Sequence, residues 1–126
     1  MNDLDLALLL ADTADAITRP HVTGSPPHRL KFDGSPVTPV DEAVEEALVS
    51  IVARERPSDG FLGEEVGEAR PGSSGSPRLV GGRRWIVDGI DGTAAFIRNR
   101  PEWATLIGLE ADGRMVVGVV SAPALD

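Results

Sequence analysis

The chain has 126 residues, of which 41% are hydrophobic and 25% are charged, a balance that predicts one folded domain with its own core. Its formal net charge of −8 argues against nucleic-acid binding, because phosphate contacts require a clustered basic surface. Since it has no cysteine and no apolar run near the roughly 18 residues of a membrane span, we expect a cytoplasmic protein without disulfides, thiolate chemistry or a membrane anchor.

Two amphipathic helices are predicted in the first half of the chain. Between Asp3 and Arg19 apolar residues recur at helical spacing, and Pro20 closes the segment. A second helix is predicted after Thr38, which can act as N-cap with Pro39 at the first helical position. The predicted apolar face of this second helix comprises Val40, Ala43, Val44, Ala47, Leu48, Ile51 and Val52.

Two other segments are rich in residues that interrupt regular structure. Residues 20–36 contain four prolines and two glycines, which predicts an irregular connection. In residues 66–82, ten of 17 residues are Gly, Pro or Ser, which predicts a flexible loop. We interpret this loop as an excursion within a single domain spanning residues 1–126.

Several strands are predicted around and after this loop. Residues 61–65 are predicted to form a short strand with carboxylates at its end, and residues 85–87 a buried strand that runs into the glycine-containing segment 88–93. Residues 104–110 and 115–121 are predicted to form a β-hairpin around an Asp-Gly turn. Two helices followed by strands indicate an α+β or layered α/β fold.

Four carboxylates follow the two apolar strands: Glu64, Glu65, Asp88 and Asp91. Clustered carboxylates are hard oxygen ligands suited to Mg²⁺, and burying them together is costly unless a cation compensates their charge. The alternative is that the two glutamates are solvated loop residues and that the Asp-Gly pairs form ordinary turns. A metal site is therefore predicted only if the two strands are adjacent.

The segment around Asp91 adds features typical of phosphate chemistry. A tight turn can aim the side chains of Asp88 and Asp91 and the Ile90 carbonyl at one point. A short helix opening at Gly92 would present free N–H groups there, which favours a phosphate. The Thr93 hydroxyl can orient a water, so hydrolysis would need no cysteine, serine or histidine nucleophile.

These motifs resemble the inositol monophosphatase family. Residues 85–93 read W-I-V-D-G-I-D-G-T after a G-E-E at 63–65, and the family signature is W-[IV]-[IV]-D-P-[IL]-D-G-T after an upstream G-E-E. Residues 96–98, 101–104 and 121–125 are most similar to bacterial histidinol-phosphate phosphatases of this family. The resemblance implies a layered αβα sugar-phosphatase fold, of which this chain would be the N-terminal portion with two helices and an antiparallel sheet.

The resemblance also implies a magnesium site. Glu64, Asp88, Asp91 and the backbone carbonyl of Ile90 would bind Mg²⁺, with Asp88 bridging two ions. Glu65 would support these ligands.

Catalytic and substrate-binding roles follow from the same resemblance. Thr93, helped by Asp41, would polarise the attacking water, with Glu64 as a further catalytic residue. Asp41 also fits a simple capping arrangement with Thr38, and the two roles can coexist. Substrate-binding positions would be Ile90, Asp91, Gly92 and Thr93, with Lys31 near the metals.

The implied reaction is magnesium-dependent hydrolysis of a small phosphate monoester. L-Histidinol phosphate, hydrolysed to L-histidinol and phosphate in histidine biosynthesis, is the first choice, and inositol 1-phosphate is the alternative. A catalytically inactive truncated fragment or half-subunit is a further hypothesis. A haloacid-dehalogenase-type phosphatase fits less well, because its Asp-x-Asp-Gly-Thr motif has one residue fewer.

The chain departs from the family pattern in two residues and in length. Gly89 replaces the usual proline, which predicts weaker metal binding, and Ala95 replaces an asparagine that steadies the loop. Family members are about twice as long, and their second half supplies another aspartate ligand and most substrate contacts. We therefore expect an uncovered apolar face that a homo-oligomer or a partner chain would cover.

Overall fold

The structure is a computed structural model that describes residues 1–22, 26–69 and 82–125. Its helices are Asp3–Thr18 (α1), Pro39–Glu55 (α2) and Thr93–Ile97 (α3), with 3₁₀ turns at Arg19–His21 and Pro123–Leu125. Its strands are Arg29–Leu30 (β1), Pro36–Val37 (β2), Gly60–Gly63 (β3), Gly67–Ala69 (β4), Arg83–Asp91 (β5), Ala104–Ala111 (β6) and Arg114–Ser121 (β7).

Both predicted long helices are confirmed. The start of α2 has the expected Thr38 cap, whose hydroxyl accepts hydrogen bonds from two N–H groups of the first turn. The predicted apolar face of α2 is wrong in part, because Ala43 is exposed whereas the acidic side chains of Asp41 and Glu45 are buried. Two acids therefore lie on the face of α2 that meets the sheet.

The main sheet has the strand order β4-β3-β5-β6-β7 and is mixed. The expectation of an antiparallel sheet is wrong for one pair, since β3 and β5 run parallel. The reason is the short strand β4, which returns antiparallel along the outer edge of β3. The chain then starts β5 from the same end as β3, so the carboxyl ends of both strands lie together.

The helices cover one face of the sheet. Helix α2 packs against β5 and α1 packs against β6 and β7. The core side chains between these layers include Phe61, Trp85, Val87, Ile107 and Leu109, all nearly inaccessible. The opposite face of the sheet forms an open groove lined by Leu62, Ile86, Leu106 and Val120, among others.

The segments predicted to be irregular contain short strands. The predicted connection 20–36 includes the antiparallel pair β1–β2, and the predicted loop 66–82 includes β4. Residues 23–25 and 70–81 lie outside the described part of the chain. The predicted hairpin of β6 and β7 is confirmed, with positive φ angles of 53° and 81° at Asp112 and Gly113, as a type I′ turn requires.

Over the described ranges, no helix is long and apolar enough to cross a membrane.

Candidate active site

The parallel register of β3 and β5 brings the two carboxylate-bearing segments side by side. Gly63 lies opposite Val87, and the backbone N–H of Glu64 donates to the Val87 carbonyl at 3.2 Å, so the pairing continues past the end of β3. Laterally adjacent residues on paired strands face the same side of a sheet. Glu64 and Asp88 accordingly both line the open groove.

An irregularity in β5 explains how Asp91 reaches the same region. From Asp88 to Asp91 the chain advances three residues, while β6 advances two, from Leu106 to Ala104. Residues three apart on a regular strand face opposite sides, and one extra residue reverses that alternation. The predicted tight turn is therefore a bulged strand end that lets both aspartates lie on one side.

Asp88 is the electrostatic centre of this region. Burial raises the pKa of its carboxyl group to about 7, and the negative charges of Glu64, Asp91, Glu45 and Asp41 add to the increase. These carboxyl groups repel one another when they are ionised, which disfavours a negative charge on Asp88. A cation at the end of β5 would relieve this repulsion.

One cation of the protein already lies at this cluster. The Lys31 Nζ is 3.3 Å from Glu65 Oε2 and 3.9 Å from Glu64 Oε1. Partial burial alone would lower the pKa of Lys31, but the hydrogen bond to Glu65 and the charges of both glutamates outweigh it and raise that pKa. Burial also raises the pKa of Glu65, against the opposing effect of Lys31. Lys31 thus neutralises part of the charge next to Asp88.

Asp41 performs two structural tasks with its two oxygens. Its Oδ2 accepts hydrogen bonds from the Thr38 backbone N–H at 2.8 Å and from the Thr38 hydroxyl at 2.6 Å, which completes a capping box at the start of α2. Its Oδ1 lies 3.0 Å from the Thr93 hydroxyl. The side chain is buried, so the capping interpretation is confirmed and coexists with a contact to the predicted site.

The Thr93 hydroxyl has one proton and two acceptors. Besides Asp41 Oδ1, the Ile90 carbonyl oxygen lies 3.1 Å from Thr93 Oγ1. Because the proton is directed to one of these two oxygens, the lone pairs of the hydroxyl are available to accept a hydrogen bond from a third group. A water on the solvent side of Thr93 can therefore be oriented by it.

Gly92 gives the turn into α3 its shape. Its φ angle is +92°, and a Cβ atom at this position would lie 2.7 Å from the Glu102 carbonyl oxygen. Only glycine fits both conditions without strain. The turn presents the first N–H groups of α3, at Thr93 and Ala94, which have no preceding helical turn to accept them.

Sequence reasoning missed Glu45. Its side chain is fully buried, and burial raises its pKa although three backbone N–H groups, those of Val66, Glu65 and Gly89, oppose the increase. The signal that could have found it was its position four residues after Asp41, which places both acids on one helix face. A second missed residue is Thr105, whose buried hydroxyl donates to the Gly89 carbonyl at 2.9 Å and fixes the bulge.

The oxygen donors of this region fit a divalent cation chemically, but they are not arranged around one point. Among residues 1–22, 26–69 and 82–125, no three acidic or histidine side chains lie close enough to hold one ion as they stand. Glu64, with 53% of its side chain exposed, and Asp91 both lie at the surface. Carboxylates and a carbonyl oxygen are the ligands that Mg²⁺ prefers.

A mixed sheet covered on one face by helices, with carboxylates following its two parallel strands, defines a layered α/β protein. The family model for the inositol monophosphatase family matches residues 7–126, and the chain belongs to that family.

Individual proteins are similar to this chain over nearly its whole length. A histidinol-phosphatase from Mycobacterium tuberculosis is 51% identical over 126 residues, which are 98% of this chain and 45% of the relative. A glucose-1-phosphate thymidylyltransferase from Streptomyces griseus is 42% identical over 122 residues, covering 97% of this chain and 44% of that protein. The structure of an inositol monophosphatase from Zymomonas mobilis matches with a TM-score of 0.71 and 42% identity, covering 96% of this chain and 43% of its own. The chain thus spans less than half the length of these relatives.

Proposed function

We propose that this chain carries the metal-binding and water-orienting part of a magnesium-dependent phosphatase that hydrolyses a small phosphate monoester. The observation that supports it is that the β3–β5 register places Glu64 beside Asp88 and the bulge brings Asp91 to the same side, with the Thr93 hydroxyl 3.1 Å from the Ile90 carbonyl oxygen. L-Histidinol phosphate is the first candidate substrate, since a histidinol-phosphatase is 51% identical. Inositol 1-phosphate is the alternative, because a solved inositol monophosphatase is 42% identical.

The carboxylates of this chain would hold the metal. Glu64, Asp88, Asp91 and the Ile90 carbonyl would bind Mg²⁺ after the two exposed acids rotate towards Asp88. Bound Mg²⁺ would supply positive charge that stabilises the attacking and leaving oxygens of an in-line displacement. Lys31 would limit the repulsion between the glutamates when no ion is present.

The residues at the start of α3 would orient the reaction. Thr93 would accept a hydrogen bond from the attacking water while its own proton is held by Asp41 or by the Ile90 carbonyl. Glu64 would be a further catalytic residue. The N–H groups of Gly92 and Thr93 would bind phosphate oxygens, because free N–H groups at this turn favour negative charge. No covalent phosphoenzyme is needed.

A second candidate function is a non-catalytic half that binds metal and associates with a further protein segment. Its specific support is the uncovered groove beside Glu64 and Asp88, together with the exposure of 58% for Met115 and 69% for Val120 on β7. A homo-oligomer or a partner chain would cover that apolar surface.

Phosphate release distinguishes the two candidates. The 126-residue chain would be assayed with L-histidinol phosphate and with inositol 1-phosphate over a range of Mg²⁺ concentrations, alongside Asp88→Asn. The matched control is Asp112→Asn, at an exposed turn position with positive φ that asparagine also tolerates. Loss of Mg²⁺ binding in Asp88→Asn alone supports the metal site. Mg²⁺ binding without phosphate release supports the non-catalytic half, and no binding by the wild type contradicts both.

A further inference from the structure

The carboxylate of Glu45 joins the two segments that carry the predicted metal ligands. Its Oε1 accepts hydrogen bonds from the backbone N–H groups of Glu65 at 2.8 Å and Val66 at 3.0 Å. Its Oε2 accepts a third from the N–H of Gly89 at 3.3 Å. We call these three hydrogen bonds the Glu45 bridge.

The donors of the Glu45 bridge lie immediately beside the candidate ligands. Glu65 directly follows Glu64 in the chain, and Gly89 directly follows Asp88. Beyond Gly63 the segment keeps one backbone hydrogen bond to β5, from the Glu64 N–H to the Val87 carbonyl, before it turns into β4. The side chain of Glu45 adds contacts from α2 to this turn and to Gly89, and so links both segments to the helix.

The glycines around Glu45 leave space for this carboxylate and little more. A Cβ atom on Gly63 would overlap Oε1 of Glu45. A Cβ atom on Gly89 would lie 3.2 Å from Glu45 Cγ and 2.9 Å from the Asp41 carbonyl oxygen. Residue 89 must also carry an N–H group to make its bond, which a proline lacks.

The same contacts account for a fully buried acid in the core. An ionised carboxylate is costly to bury unless hydrogen-bond donors replace its water. Three backbone N–H groups replace part of that water here, although burial still raises the pKa of Glu45. Hydrogen bonds to an ionised carboxylate are stronger than neutral ones. An apolar side chain of α2 would fill the volume but would leave these N–H groups without that acceptor.

We propose that Glu45 is a positioning residue that holds the Glu64 and Asp88 segments at the separation needed for a shared cation. The inference rests on the proposed metal-dependent function and adds a residue that would act without touching the ion. Partners that orient metal ligands typically contribute about 10- to 100-fold in metal affinity.

Two substitutions distinguish a positioning role of Glu45 from a purely electrostatic role. Glu45→Gln keeps the size but presents an NH₂ group to one set of N–H donors. Glu45→Asp keeps the charge but is one methylene too short to reach both segments. If Glu45 positions the segments, both variants should bind Mg²⁺ more weakly. If its role is purely electrostatic, Glu45→Asp should keep the Mg²⁺ affinity of the wild type. Glu46→Gln, at the exposed neighbouring position of α2, is the matched control.

The test combines amide hydrogen exchange with Mg²⁺ titration by calorimetry on the 126-residue chain, at a temperature where circular dichroism shows every variant folded. We expect faster exchange at the amides of Glu65, Val66 and Gly89 in both Glu45 variants, with unchanged exchange in the β6–β7 hairpin. We also expect Mg²⁺ affinity to fall about 10- to 100-fold in both variants. Glu46→Gln should match the wild type in both measurements.

The outcomes distinguish this inference from the proposed function. Unchanged exchange at the three amides, a uniform increase over the whole chain, or full Mg²⁺ affinity in Glu45→Asp would each overturn the positioning role. A local increase in exchange in a protein whose wild type binds no Mg²⁺ would support the Glu45 bridge and reject the proposed metal site.

Discussion

The hydroxyl of Thr93 lies 3.0 Å from Oδ1 of Asp41, across 52 residues of sequence. The other oxygen of Asp41 accepts two hydrogen bonds from Thr38 at the start of α2. The predicted water-orienting group and the first turn of a core helix are therefore connected through one buried carboxylate. Substitutions at this connection should affect both stability and turnover.

Removal of the Thr93 hydroxyl should reduce both the free energy of unfolding and the rate of phosphate release. Thr93→Val has nearly the same shape but leaves Asp41 without this donor, which should lower the free energy of unfolding by about 1 kcal/mol. Phosphate release should fall by on the order of 100-fold if the hydroxyl orients the attacking water. Thr93→Ser should restore most of both. Thr13→Val is the control, because that hydroxyl donates to the Leu9 carbonyl of its own helix.

Loss of the Thr38 cap should destabilise α2. Thr38→Ala removes the acceptor for the N–H groups of Val40 and Asp41, so urea denaturation should show a free energy of unfolding lower by about 1 kcal/mol. Ser50→Ala in the exposed middle of α2 should be neutral or slightly stabilising, because alanine has the higher helix propensity. Equal effects of the two substitutions would contradict the importance of the cap.

The raised pKa of Asp88 predicts a pH dependence of stability in metal-free buffer. The pKa is about 7 in the folded protein against an ordinary value of 3.8, so between these values the folded state holds a proton that the unfolded state releases. This contribution to stability is complete below about pH 4 and is lost as the pH rises through about 7. Asp88→Asn should therefore lose less stability over that range than the wild type.

Urea titrations of both proteins at several pH values, with a chelator present, measure this difference. Asp112→Asn should follow the wild-type curve. Identical slopes for the wild type and Asp88→Asn would show that the Asp88 carboxyl group is not unusually basic in the folded protein. Addition of Mg²⁺ near pH 7 should stabilise the wild type and leave Asp88→Asn unchanged, because only the folded wild type would bind the ion.

Two glycines with similar φ angles distinguish the cost of a left-handed backbone from the cost of steric overlap. Gly113 has a φ angle of 81° and open space where a Cβ atom would lie, whereas Gly92 has a φ angle of 92° and the Glu102 carbonyl oxygen 2.7 Å from the corresponding position. Gly113→Ala should cost about 1 to 2 kcal/mol from the left-handed conformation alone. Gly92→Ala should cost more, and denaturation curves that rank the two equally would refute the predicted overlap.

Local sequence signals were sufficient to predict the two long helices and the β6–β7 hairpin. The Thr38-Pro39 start of α2 and the Asp112-Gly113 turn each depend on chemistry within a few residues, and both are found as expected. The parallel pairing of β3 with β5 depends instead on the return of β4, in a segment whose composition indicated only a loop. The relative direction of β3 and β5 cannot be predicted from the apolar periodicity of either strand.

In the candidate site, too, local features were predicted from the sequence and long-range contacts were not. Glu64, Asp88 and Asp91 were identified from strand ends and from the family resemblance, and the bulge that lets Asp91 share a side with Asp88 was not foreseen. Glu45 was missed because an acid within an amphipathic helix ordinarily marks the solvated face. Its burial becomes interpretable only when the N–H groups of two distant segments are seen to meet it.

The double use of Asp41 constrains how this chain can change over evolutionary time. A lineage that no longer needed turnover would still be selected to keep this aspartate, because its replacement would loosen the beginning of a core helix. Retention of Asp41 in a homologue is consequently poor evidence for activity. Under the proposed function, loss of Thr93 beside an intact Asp41 would be the more informative mark of a homologue without hydrolytic activity.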